Sequence, residues 1–160
     1  MYGLNLPNLT RGNHAITSGM TPEYNCVSHA IYEQSIALWP DNDHRWPMSV
    51  ERVETIGAFV KLFSQMGFEE IPLVDARVFA GYEKIAIFAI NDMPTHVARQ
   101  LRSGRWTSKL GTLADIDHAD LRCLESGEYG TVVRLMRRIY TGRPPELPPV
   151  APAQPLIIRP

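Results

Sequence analysis

The chain has 160 residues, a net charge of −1, 44% hydrophobic and 21% charged residues, a composition of one ordinary globular domain. That balance argues against a general nucleic-acid or anionic-membrane binder. Two cysteines, Cys26 and Cys123, are too few for a disulfide scaffold and are expected as thiols in a reducing, cytoplasmic setting.

Residues 1–20 contain Pro7, Gly12 and Gly19 and are expected to form an extended arm. They lack a basic region followed by an apolar run, so they do not read as a signal peptide. No window of about 18 apolar residues suggests a membrane span. Asn25 is a suitable N-cap for a helix running to about Leu38, with Cys26, Val27, Ala30 and Ile31 sharing a face. "WPDNDHRWP" (39–47) is a loop stiffened by two Trp-Pro pairs. Ser49 should cap a second helix, whose stripe Val50, Val53, Ile56, Phe59, Val60, Phe63 and Met66 ends at Gly67.

From Phe68 the apolar period changes to that of strands. "EEIPLV" reads as an edge strand because of Pro72. "EKIAIFAI" (83–90) reads as a buried strand, turned by "ND" into "THVARQL" (95–101), and "RSGR" turns that into "WTSKLG" (106–111). "LADIDHADLRCLES" (113–126) reads as one or two short helical turns, and "YGTVVRLMRR" (129–138) as a last strand. The tail, 141–160, is proline-rich and expected outside the core. Helices first and an antiparallel sheet afterwards predict an α+β domain over residues 21–140.

Cys26 directly follows the expected N-cap. Unpaired backbone N–H groups at a helix start lower a thiol pKa and can hold an oxyanion. A lone cysteine is more often a small buried hydrophobe. His96 opens a strand and can serve as the base a nucleophilic cysteine needs. A third polar group should orient its imidazole, and the neighbouring strand offers Thr107, Ser108 and Lys109. A two-residue Ser103-Gly104 turn would set Gln100 opposite Thr107 and put Ser108 on the face away from His96. A longer or bulged turn would reverse this. His29, three residues after Cys26, is an alternative base or simply a polar helix residue. The five histidines show no zinc spacing, and the glycines form no phosphate or dinucleotide loop, so neither metal nor cofactor is expected. Arg99, Arg102, Arg105 and Lys109 read as a solvated face, or as a cationic rim steering an acidic substrate.

The segments "YNCVSHA" and "THVARQLRSGRWTSKLG" resemble the papain-like cysteine hydrolases, in the bacterial amidase and peptidase branch that includes CHAP domains. The run "SKLG", then His118, then "YGTVVRLMRR", is also similar to bacterial papain-fold proteins, some of them read as toxins or effectors. The resemblance covers residues 22–138. It implies a papain-like fold, N-terminal helices on a small antiparallel sheet, with Cys26 as nucleophile, His96 as base and Ser108 as the third residue. This sequence has Asn25-Cys26 where the branch often has Asp-Cys, and a serine where it usually has His, Asn, Gln or Asp. Two functions follow as expectations. One is a cysteine hydrolase acting on an amide, isopeptide or thioester bond of a protein or peptide-like substrate. The other is a catalytically inactive module that binds a protein partner through the tryptophan loop or through "PPELPP" in the tail.

Overall fold

The computed structural model describes residues 2–155. In chain order its elements are β1 (His14–Ile16), α1 (Cys26–Ala30), β2 (Trp46–Pro47), α2 (Ile56–Gln65), β3 (Glu69–Ile71) and β4 (Tyr82–Ile90). They continue as β5 (Met93–Gln100), β6 (Trp106–Lys109), β7 (Asp115–His118), a 3-10 turn (Leu121–Leu124), β8 (Thr131–Ile139) and β9 (Val150–Ala151). One seven-stranded sheet in the order β1-β7-β6-β5-β4-β8-β3 dominates, and every pairing in it is antiparallel.

This corrects the expected fold class. The chain is mostly β and does not place N-terminal helices on a small sheet as the papain-like expectation required, since its two α-helices span only five and ten residues. The physical reasons are local. The helix expected from Asn25 to Leu38 stops at Ala30. Tyr32 turns the chain at φ +64°, and the Asn25 side chain binds both backbone groups of Leu38, donating at 2.7 Å and accepting at 3.2 Å. The second helix begins six residues later than Ser49 suggested. The Ser49 hydroxyl donates to Gln65, and Thr55 caps instead, accepting from the Ala58 N–H at 3.2 Å. Residues 115–118, expected as helical turns, form β7 between β6 and β1, so both backbone edges are paired. The alternation Asp-Ile-Asp-His suits a strand, with Ile116 fully buried.

The expected edge strand is β3, which among the described residues pairs with β8 alone. The "ND" turn joins β4 to β5 with Asn91 and Asp92 both at positive φ, 49° and 65°, the signature of a two-residue hairpin loop. Val133 falls at a register shift in β8 opposite Ile87 and Phe88, so Val133 and Leu135 pack on different faces.

Two cores lie on opposite faces of the sheet. α1 and α2 cover Ile85, Ile87, Val97 and Met136. The other face, with Ala86, Phe88, Ala98, Trp106 and Ile116, is covered by Leu6, Leu9, Leu121, Cys123, Leu124 and Tyr129. The N-terminal arm therefore contributes to a core, and its residues 14–16 join the sheet. In the tail, β9 pairs with β2, and Leu147 and Val150 pack against the helical core. Met1 and tail residues 156–160 lie outside the described residues. Among the described residues no helix is long and apolar enough to cross a membrane.

Candidate functional site

Cys26 is the first residue of α1 and is buried, 5% exposed. Asn25 caps the helix by accepting from the N–H of Ser28 (3.3 Å) and from its hydroxyl (2.9 Å). Burial pushes the Cys26 thiol up to about 11, although the backbone N–H groups of Val97, Val27 and Cys26 itself face the sulfur and oppose the rise. The thiol is therefore neutral at rest.

His96 lies on β5 with 1% exposure. It shares its face with Ala98, and its ring stacks on Tyr129 at a centroid distance of 4.2 Å, within the second core. Its Nε2 is 2.9 Å from Ser108 Oγ, and its Nδ1 is buried with no hydrogen-bond partner. Cys26 and His96 are thus not hydrogen-bonded to each other. They meet at the backbone of β5: Val97, whose N–H faces the sulfur, directly follows His96. Tyr129, stacked on His96, has its pKa raised chiefly by burial.

The turn before β6 decides that Ser108 reaches His96. Gln100 pairs with Trp106, and Arg99 with Thr107, one residue off the register of a two-residue turn. Gly104, at φ +93°, accommodates the longer loop of residues 101–105. Trp106 and Ser108 consequently face the same side as Ala98 and His96, while Thr107 and Lys109 face α1.

Ser108 also touches His118, with Oγ 2.8 Å from Nε2, and His118 Nδ1 is 2.9 Å from the Asp120 carbonyl. This chain fixes the protons. Burial holds His118 down at about 4, against the opposing pull of the Asp120 carbonyl. Burial, then the neighbouring His118 and His29, hold His96 well below its ordinary value. Both rings are neutral. The Asp120 carbonyl only accepts, so His118 carries its proton on Nδ1 and accepts at Nε2. The Ser108 hydroxyl donates there and accepts from His96 Nε2–H. His96 is left with an unused lone pair on Nδ1. Sequence reasoning missed His118 and Asp120 as members of the site. Their sole signal was the "DIDHAD" run beside the serine strand.

His29 stands on the α1 face with both ring nitrogens engaged. Nε2 is 2.9 Å from Thr107 Oγ1, and Nδ1 is 3.6 Å from Asp115, which also accepts from the Tyr24 hydroxyl at 2.6 Å. Burial lowers the His29 pKa, and Asp115 opposes that. His29 pins α1 to β6 and β7 and has no lone pair to offer the thiol. Cys123 is a free, buried thiol whose pKa is raised by burial. Its sulfur lies 3.4 Å from Asp120 Oδ1. Among the described residues no group of three or more His, Cys, Asp or Glu could hold a metal ion.

The constellation is thus a neutral thiol and a neutral, oriented base on adjoining backbone, closed to solvent. No curated protein and no solved structure matches the chain. One family model does match, over residues 15–137, a span that contains Cys26, His96, Ser108 and His118 together. The chain belongs to that family, described as Domain of unknown function (DUF7689).

Proposed function

We propose that the protein is a cysteine-dependent hydrolase of amide-type bonds, with Cys26 as nucleophile, His96 as base and Ser108 as the residue that positions His96. The observation that carries this reading is the buried, unpartnered Nδ1 of His96. An unsatisfied polar atom is costly in a core, and here the Ser108–His118–Asp120 chain holds it in the proton-accepting tautomer. A ring that served packing alone would gain by giving both nitrogens polar partners; His29, for comparison, has Thr107 Oγ1 at 2.9 Å from one nitrogen and the Asp115 carboxylate at 3.6 Å from the other. The resemblance of "YNCVSHA" and "THVARQLRSGRWTSKLG" to papain-like cysteine hydrolases supports the same assignment at those two segments.

The chemistry begins from neutral partners. The Cys26 thiol lies in the helical core and the His96 ring in the second core, so the start of β5 must shift until Nδ1 reaches the sulfur. Nδ1 then takes the thiol proton as Sγ bonds to the substrate carbonyl carbon. The oxyanion forms near the backbone N–H groups of Cys26 and Val27, which already face the sulfur. The C–N bond breaks, and the imidazolium proton passes to the leaving nitrogen. Water then gives a proton to Nδ1 and hydroxide to the acyl carbon, releasing the acid and restoring the thiol. Cys26 and His96 are both buried, so substrate binding must expose them.

The test is turnover of fluorogenic acyl-amide peptides by wild type and Cys26→Ala, with intact-mass detection of an acyl-enzyme after quenching. Cys26→Ala should fold, remove all turnover and remove the adduct. Turnover retained by Cys26→Ala would exclude the reading.

A further inference from the structure

The β5–β6 hairpin carries four cationic side chains, and the structure divides them. Arg105 pairs with Asp117. Lys109 is fully buried, and its Nζ donates to the carbonyls of Thr21 (2.9 Å) and Leu113. Arg99 and Arg102 have no carboxylate partner among the described residues. Both line one cavity of about 460 Å³ walled by Tyr32, Phe79, Tyr82 and Tyr140.

Each of the two guanidiniums lies over a ring, Arg99 over Tyr32 at 3.9 Å and Arg102 over Tyr140 at 4.3 Å. Stacking holds the planar group in place and leaves its in-plane N–H donors available. Arg99 spends one donor on the Tyr32 hydroxyl at 3.1 Å, while its Nε is buried with no acceptor. The one carboxylate in the wall, Glu83, accepts from Arg138. Glu83 and Asp115 act on Arg99 only at a distance, so the cavity presents two oriented guanidiniums with no directly paired carboxylate between aromatic walls, an arrangement suited to a carboxylate.

We propose that this cavity is a binding subsite for the side-chain carboxylate of an acidic peptide segment. Its use in substrate selection rests on the hydrolase reading; its binding of the peptide does not. Arg99 lies two residues beyond Val97 on β5, about 7 Å along a strand, and Val97 is the residue whose N–H faces Cys26. A peptide with its acyl carbonyl at Cys26 thus reaches the cavity within a few residues. The preferred substrates are glutamate- or aspartate-bearing peptides.

The experiment uses full-length Cys26→Ala protein, so that binding is read without turnover. An acetylated, amidated heptapeptide containing three glutamates is titrated in by 1H–15N NMR, beside its glutamine counterpart and beside inorganic phosphate. Shifts should cluster at residues 78–83 and 99–102. The glutamine peptide, and the glutamate peptide on Arg99→Gln or Arg102→Gln protein, should bind roughly tenfold more weakly or worse. Arg102 is exposed, so its variant remains informative if Arg99→Gln fails to fold. Equal affinity for the two peptides, unchanged affinity in a folded Arg102→Gln protein, shifts elsewhere, or phosphate binding as tight as the glutamate peptide would each overturn the proposal. Charge-selective binding with no turnover by wild type would keep this subsite and remove the hydrolase reading. Turnover indifferent to charge would do the reverse.

Discussion

Ser108 has one hydroxyl and two imidazoles to satisfy. Its proton goes to His118 and its lone pair receives the proton of His96, at 2.8 and 2.9 Å. Ser108→Ala leaves two buried ring nitrogens without partners, at about 1–3 kcal/mol for each unsatisfied group. We expect a loss of about 2–4 kcal/mol in urea unfolding and a rate reduced about tenfold, because the His96 tautomer is no longer fixed. Wild-type stability in Ser108→Ala would show that the two contacts are not made. Thr107→Ala separates the two faces of β6. It should loosen the His29 contact and lower stability by about 1 kcal/mol, with the pH–rate profile unchanged.

His118 gives a sharper test, because it acts only through Ser108. In His118→Phe the serine proton is free to turn toward His96 Nε2, which then becomes the acceptor and places the ring proton on Nδ1. That is the wrong tautomer for taking a proton from Cys26. Turnover should fall with KM unchanged, and the pH–rate profile should shift. A variant with normal kcat would remove His118 from the positioning chain.

At the scale of elements, α1 depends on one side chain. Asn25 caps the helix and holds the returning chain through Leu38. Asn25→Ala should cost about 1 kcal/mol for the cap and more for the exposed Leu38 backbone, read as a lower urea midpoint. Asn25→Asp keeps the cap and loses only the donor to Leu38. Its midpoint should lie between those of wild type and Asn25→Ala. Gly130, at φ +69°, sits where a Cβ would collide with the Ala89 carbonyl oxygen. Gly130→Ala must displace the start of β8 from β4, and differential scanning calorimetry should show a lower Tm.

What was legible in the sequence follows the same local rules. The "ND" hairpin could be read because two adjacent residues must take positive φ, and Asn-Asp tolerates it. The capped cysteine could be read from Asn25 alone. The β5–β6 register could not, since one residue in the Gly104 loop decides which face Ser108 occupies. The end of α1 was hidden for a different reason: a long-range bond from Asn25 to Leu38 overrides local helix propensity. β7 was hidden because it is only four residues long and one of its two partners, β1, lies about a hundred residues away in sequence. With β7 unread, His118 and Asp120 could not be joined to Ser108. Two of the four hairpin cations turned out to be paired or buried, which no count of charges distinguishes.

At the scale of the whole molecule, three buried histidines couple stability to pH. His96 and His118 have folded pKa values below the ordinary 6.5, and His29 shifts in the same direction. The unfolded chain therefore binds more protons once the pH drops below 6.5. Stability is complete above that value and is lost as pH falls toward 4, at up to about 1.4 kcal/mol per pH unit for each ring. Urea midpoints should be flat from pH 8 to 7 and fall steeply from 6.5 to 4.5. His118→Phe should shallow the slope by about one third. A flat midpoint down to pH 5 would mean that the rings are protonated in the fold.

Whether His96 serves as the base for Cys26 is read by covalent trapping. A peptidyl vinyl sulfone requires the thiolate for addition and returns a proton to the new carbon, both tasks of the His96 Nδ1. Full-length wild type and His96→Gln are incubated with the probe at pH 7.5, where a thiol held at about 11 is almost wholly protonated, and the adducts are mapped by peptide mass spectrometry. We expect a single adduct on Cys26 in wild type, none on Cys123, and a labelling rate at least about tenfold lower in folded His96→Gln. Equal labelling of the two cysteines, or Cys26 labelling unchanged in His96→Gln, would contradict that role of His96.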